Sequence, residues 1–206
     1  MRAFKVLAVA AVCAALAVSG CKKNPDVVVQ GAKETKEVAV APGAPSLAKA
    51  GEEIREYDLN RDKKTDVWVH FIKVPDPAKP GTMKEQVTLK EMDINFDGRL
   101  DIWKYFNEKD ELVKECFDLD FDGRVDECVF YDKGVVVRKE LDLNFDGNAD
   151  LFKYYEKGKL VRKERASKGD GRIDYWEYYE NEELDRIGVD KNGDGQLDEW
   201  PFVRKK

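Results

Sequence analysis

The sequence predicts an all-β protein, an elongated repeat meander of hairpins joined by acidic metal-binding loops. Three observations predict it. An acidic nine-residue element recurs six times, starting at Asp58, Asp93, Asp118, Asp142, Ala166 and Asp190, in steps of 35, 25, 24, 24 and 24 residues. Each copy runs into a segment that alternates aromatic with charged residues, such as Asp101-Ile-Trp103-Lys-Tyr105-Phe106. A tight turn, often with glycine, then leads through a second short segment to the next copy. A fixed period of this size marks a repeat architecture, and roughly 24 residues accommodate two short strands, one turn and one loop.

Residues 1–20 have the make-up of an export signal. Arg2 and Lys5 give a basic start, and Val6 to Val18 is an apolar run too short to span a bilayer. The run ends Val18-Ser19-Gly20-Cys21, which resembles the lipobox of bacterial lipoproteins. In that family the signal is removed before the cysteine, so the resemblance implies a lipid on Cys21 and a membrane anchor. Lys22 is not the Asp that retains many such proteins in the inner membrane, which favours the outer membrane or cell surface. The plainer alternative is a secretory signal with an incidental cysteine. Residues 21–51 are rich in Lys, Ala, Val and Pro, carry no aromatic residue, and read as a flexible tether. Residues 52–206 are then one six-copy repeat domain.

The recurring element reads D-x-N-x-D-G-x-x-D, with oxygen side chains at positions 1, 3, 5 and 9. Hard cations such as Ca²⁺ take six to eight oxygen ligands, and one tight turn of this kind supplies most of them. Glycine at position 6 lets the backbone reverse, so the carbonyl of residue 7 can also turn inward. Loop 2 offers Asp93, Asn95, Asp97 and Asp101, with the Arg99 carbonyl. Loop 3 offers Asp118, Asp120, Asp122 and Asp126, with Arg124. Loop 4 offers Asp142, Asn144, Asp146 and Asp150, with Asn148; loop 6 offers Asp190, Asn192, Asp194 and Asp198, with Gln196. Loop 1 has Asp58, Asn60, Asp62 and Asp66 but Lys63 at the glycine position. Loop 5 keeps Asp170 and Asp174, with Ala166 and Lys168 at positions 1 and 3. Asp, Asn and Gly also make good turns without a metal; four complete copies in register favour calcium.

These loops resemble the calcium loops of the EF-hand family, and more narrowly those of dockerins, thrombospondin type 3 repeats and integrin propeller blades. They depart from the EF-hand at position 12, which holds Val69, Lys104, Val129, Lys153, Glu177 and Pro201 instead of a bidentate Glu. The resemblance implies Ca²⁺ as the bound ion, without the groove-opening action of sensor EF-hands.

After each loop, Trp68, Trp103, Phe152, Trp176 and Trp200 share one column, and Tyr105, Phe130, Tyr154, Tyr178 and Phe202 lie two residues on. Period-two alternation with aromatic enrichment predicts strands with both columns on one face. Segments such as Tyr154-Tyr155-Glu-Lys-Gly158-Lys-Leu160 resemble MORN-like bacterial repeats. Charged residues interrupt the strands, so an open sheet, single-layered or curled on its aromatic face, fits better than a closed globule. Pro201 suits a terminal edge strand, and Val74–Gly81 reads as a longer hairpin loop.

The chain has a formal net charge of −6, while the loops alone hold 18 aspartates, so the acid is concentrated at the metal-binding turns. Such a chain is a poor nucleic-acid ligand. One histidine, His70, stands in the second aromatic column and reads as a packing residue. With Ser46 in the tether and Ser167 in the degenerate loop, there is little from which to build a nucleophilic site, and the chain is not expected to be an enzyme. Two functions follow. The first is a calcium-stabilised structural or interaction lipoprotein with an envelope protein or glycan partner. The alternative is a carbohydrate-binding module that stacks sugars on an exposed aromatic row. Cys13 leaves with the signal and Cys21 takes the lipid, so Cys116 and Cys128 remain. They flank loop 3 in columns that hold Glu or Gly and Trp or Phe elsewhere. Replacement of both in one copy predicts a disulfide across the strands entering and leaving that loop.

Overall fold

The computed structural model describes residues 43–205. The export-signal and lipidation readings of residues 1–20 and Cys21 fall outside them. Twelve strands follow: β1 (Glu52–Tyr57), β2 (Val67–Pro75), β3 (Met83–Met92), β4 (Ile102–Phe106), β5 (Leu112–Phe117), β6 (Glu127–Asp132), β7 (Val135–Leu141), β8 (Leu151–Glu156), β9 (Lys159–Arg165), β10 (Tyr175–Glu180), β11 (Glu183–Val189) and β12 (Glu199–Val203). They form one antiparallel sheet in strict sequence order, and no helix occurs among the described residues. This is the all-β hairpin meander that the repeat predicts. Every acidic loop follows an odd-numbered strand, so all six lie at one end of the strands. The short hairpin turns lie at the other end.

The turns explain the tightness of the hairpins. Lys133-Gly134, Lys157-Gly158 and Asn181-Glu182 have positive φ at both residues. That is the conformation that joins twisted antiparallel strands through two residues. Two residue pairs from these turns the register shifts, at Phe130/Tyr131, Tyr154/Tyr155 and Tyr178/Tyr179, and it shifts likewise at Tyr105/Phe106 in the β4–β5 hairpin. This bulge is not visible in simple alternation; it falls at the aromatic doublet in each of these hairpins. At the last strand the register shifts again between Ile187 and Val189, opposite Pro201, which has no N–H to give the ladder.

The sheet is open and its two faces are similar. Along β4 and β8 nearly every residue is half-buried whichever face it points to, so among the described residues no second layer covers either face of these strands. Two rows of side chains cross one face. The first alternates carboxylates with aromatics, Glu56–Trp68–Glu91–Trp103, and resumes as Glu140–Phe152–Glu164–Trp176. The second alternates aromatics with cations, Tyr105–Lys114–Phe130–Arg138–Tyr154–Arg162–Tyr178–Arg186. The cations lie over the rings: Arg138 is 4.1 Å from the Phe130 centroid, Arg162 4.2 Å from Tyr154 and Arg186 4.9 Å from Tyr178. Gly188 interrupts the carboxylate column because a Cβ there would lie 2.3 Å from Leu197 Cδ1 and 3.3 Å from the Trp200 ring.

Residues 43–51 differ from the expected free tether. The Leu100 N–H donates to the Gly43 carbonyl at 2.9 Å, and the Ser46 N–H and hydroxyl both donate to the Glu91 carboxylate. Glu91 also pairs with Nε2 of His70 at 3.1 Å, and Glu52 with Nδ1 at 3.3 Å. His70 is fully buried in its expected column, but as the centre of an ionic cluster and not as a packing residue alone. Burial works to lower its pKa, yet Glu91 and Glu52 outweigh it and hold the imidazole above its ordinary value. The cluster fastens the segment ahead of β1 to the sheet.

Cys116 and Cys128 are direct partners in the β5–β6 register, with Cα atoms 4.1 Å apart, and they form a disulfide. A bridge of this kind fits an exported protein. Replacing both cysteines by alanine is expected to lower the unfolding free energy by about 3 kcal/mol, from the short loop the bridge closes. Denaturant melts of the two forms check this, with mass spectrometry of unreduced, alkylated protein showing neither cysteine modified in the wild type.

Candidate metal centre

Each loop is built by its own carboxylates folding back on its backbone. In loop 2 the position 1 residue, Asp93, accepts the Phe96 N–H at 2.6 Å and the Gly98 N–H at 2.7 Å. Asn95 Oδ1 accepts from the Asp97 N–H, and Asp97 accepts from the Arg99 N–H. Asp101, at position 9, takes the Ile94 and Asn95 N–H groups on Oδ2. Position 1 meets the N–H of position 6 in loops 1, 3, 4 and 6 as well: Asp58 with Lys63, Asp118 with Gly123, Asp142 with Gly147, Asp190 with Gly195. Lys63 makes this bond at a φ of 71°, so loop 1 closes without its glycine. Asp66, Asp126, Asp150 and Asp198 repeat the role of Asp101, each accepting two N–H groups from positions 2 and 3. Asp62, Asp122, Asp146, Asp170 and Asp194 repeat that of Asp97. Asn60, Asp120, Asn144 and Asn192 repeat that of Asn95.

An ionised carboxylate has about four acceptor sites, and the backbone takes only some of them. What meets the rest differs between loops. In loop 4 the Asn144 amide donates to Asp146 Oδ2 at 3.1 Å and Asp150 Oδ1 at 3.4 Å; Asn192 does the same to Asp194 and Asp198 in loop 6. In loop 5 Lys168 stands at position 3 and its ammonium lies 3.5 Å from Asp174 Oδ2, beside the Ser167 hydroxyl on the same oxygen. Asp174 is thereby held below the usual carboxylate range despite its burial. Loop 5 carries its own cation.

In loops 2 and 3 the cation, Arg99 or Arg124, pairs with the position 5 aspartate, and the position 9 carboxylates of Asp101 and Asp126 accept only backbone N–H groups. Asp118, Asp120 and Asp126 bring one oxygen each within 4.8 Å of one another, a group able to hold a metal ion. Asp101 is 1% exposed, and its Oδ1 is buried with no hydrogen-bond partner. Burial, with the charges of Asp93 and Asp97, holds the Asp101 carboxyl above its ordinary pKa. Burial and Asp126 do the same to Asp118. A buried anionic oxygen without a donor is costly; a cation among these oxygens would meet that need, and the donor set is all oxygen, as hard cations require.

The side chains at position 7 point elsewhere. Arg99 pairs with Asp97 at 3.1 Å and donates to the Asp122 carbonyl of the next loop at 3.0 Å, while Arg124 holds Asp122 within its own loop. The N–H of each position 7 residue donates to the position 5 carboxylate in its loop. Neighbouring loops are also joined directly. The position 1 N–H donates to the position 9 carbonyl of the preceding loop from Asp93 to Asp66, Asp118 to Asp101, Asp142 to Asp126 and Asp190 to Asp174, at 2.7–2.9 Å.

No protein-family model matches the chain, and no curated protein matches it. Among solved structures it is similar to one described as the crystal structure of accessory secretory protein 1, 2 and 3 in Streptococcus pneumoniae, with a TM-score of 0.33 and 14% identity. The match covers 65% of this chain and 20% of that one. A likeness of that size carries no argument about function.

Replacing Asp101 by asparagine tests the orphaned oxygen. In chelator Asp101→Asn is expected to be more stable than wild type by about 1–3 kcal/mol, since a buried charge is removed. In calcium it is expected to lose part of the stabilisation that wild type gains. Equal responses to calcium in the two proteins would contradict this.

Proposed function

We propose that this is a lipid-anchored, calcium-binding repeat protein of the cell envelope, structural or interactive in role and not an enzyme. The observation that carries the metal reading is Asp101 Oδ1, buried and unpartnered in a loop whose side-chain donors are all oxygen. The disulfide supports an exported setting, where calcium is available to sites of modest affinity. The glycan alternative is less well supported. Trp103, Phe152 and Trp176 are half-buried between charged strands, and the neighbouring rings are covered by Arg138, Arg162 and Arg186, which leaves no open row for a sugar.

Binding of a cation to the folded loops alone stabilises the fold by linkage. Calorimetric titration is expected to show calcium entering loops 2, 3, 4 and 6, loop 1 more weakly and loop 5 hardly at all, with a melting temperature that rises in calcium and falls in chelator. Mg²⁺ is expected to substitute poorly, because it demands a tighter octahedron and keeps its waters. A melting curve indifferent to both calcium and chelator would sink the metal reading.

The anchor is tested separately. Wild-type protein is expected to partition into detergent with an acyl group on Cys21, and Cys21→Ser to accumulate as uncleaved or soluble precursor. Recovery of the wild type as a soluble, unacylated secreted chain would rule the anchor out.

A further inference from the structure

The residue at position 4 of every loop has left-handed backbone. In loops 1, 2 and 6 its N–H reaches the position 1 carboxylate from there, from Arg61, Phe96 and Gly193 at 2.6 Å. Glycine adopts this conformation without strain, and loops 5 and 6 use Gly169 and Gly193. Loops 2, 3 and 4 instead carry Phe96, Phe121 and Phe145 at φ 64°, 64° and 60°. A phenylalanine there is strained by its Cβ, and these three are also 42–44% exposed. At position 2 of the same loops Ile94, Leu119 and Leu143 are 45–54% exposed. Neighbouring loops are two strands apart, about 10 Å. Six apolar side chains therefore line the loop end of the sheet over three consecutive copies. Backbone strain combined with an exposed apolar row is what a binding surface shows and what folding alone does not require.

We infer that this row docks onto a phospholipid surface once the loops are filled with cation, an inference that rests on the calcium reading. Two observations select lipid as the occupant. Loops 2, 3 and 4 carry three, four and three aspartates. Empty, they repel phosphate headgroups; with one divalent ion each, and with Arg99 and Arg124 in place, they come close to neutral. Apolar tips beside a charge that the cation cancels can enter the interfacial layer, where aromatic and aliphatic side chains are favoured. The second is where the chain joins the sheet. Gly43 is bonded to Leu100 and packed on Arg99, both in loop 2, so the segment from Cys21 meets the domain at the loop end. The intervening 22 residues reach at most about 75 Å, enough to bring that end against the membrane holding the proposed anchor.

The test uses the full chain carrying Cys21→Ser, which removes the lipid, and vesicles of phosphatidylethanolamine and phosphatidylglycerol. Co-sedimentation is measured in calcium and in chelator; the apolar run at residues 6–18 contributes to both, so the calcium-dependent part reports on the loops. It is compared with the triple variant Phe96→Gly, Phe121→Gly, Phe145→Gly. The expected result is calcium-dependent binding that falls by more than about tenfold in the variant. The variant should keep its calcium heats and melt no lower than the parent, because phenylalanine supplies no ligand and glycine relieves the strain. Equal vesicle binding by the two chains overturns the inference. So does calcium binding without calcium-dependent vesicle binding, or calcium-dependent self-association in its place. Absence of calcium heats would mark failure of the metal reading itself, and this inference would fall with it.

Discussion

A sheet one layer thick has no second layer against which to bury its side chains, and that constraint shapes the rest of this protein. Among the described residues only Phe71, Leu89, Leu100, Cys116, Cys128, Val129 and Ala166 form a buried apolar core. The sheet instead covers its aromatic rings with its own long cations, drawn from the neighbouring strand. Lys114 lies over Tyr105 and Phe130, and Arg186 over Tyr178 and Trp200. Contacts of this type at half-exposed positions are worth about 0.5–1 kcal/mol each, and the exposed ion pairs beside them less. Charged residues inside the strands are therefore the covering of the aromatic rows and not a flaw in them. Because each increment is small, the ties at the loop end matter.

This also sets what could be read from sequence. Strands, turn positions, the acidic loops and the disulfide follow from local spacing, because a nine-residue acidic turn and a period-two strand each constrain the backbone over a short stretch. The alternate placement of Glu and Trp, or Arg and Tyr, on adjacent strands is present in the repeat columns, and the cysteine pair follows from it. Less legible was anything that depends on a residue far away in sequence. Ser46 looked like tether because nothing local marks it; its partner Glu91 is 45 residues on. The repeat gives His70 its column, but its two glutamates come from β1 and β3. The bulges at the aromatic doublets conserve the composition of a strand while shifting its register, so alternation alone passes over them.

Loop 5 shows how the array accommodates a copy that has lost two of its acidic-loop side chains. Ala166 replaces the first aspartate, and Ala166 N–H still donates to the Asp150 carbonyl, so the contact with loop 4 persists. Lys168 replaces the Asn or Asp of position 3 and lies on Asp174. One substitution removes an anion and the other brings an ammonium, so the loop holds its shape from within. Loops 4 and 6 are intermediate, with an asparagine amide lying between carboxylates. Loops 2 and 3 are the extreme: one leaves Asp101 Oδ1 orphaned and the other gathers four aspartates. Strands β5 and β6 flank the second of these, and they are the pair that the disulfide joins. The covalent tie thus sits where carboxylate repulsion most opposes closure of the loop, and it holds the loop's two ends together whether or not a cation is bound.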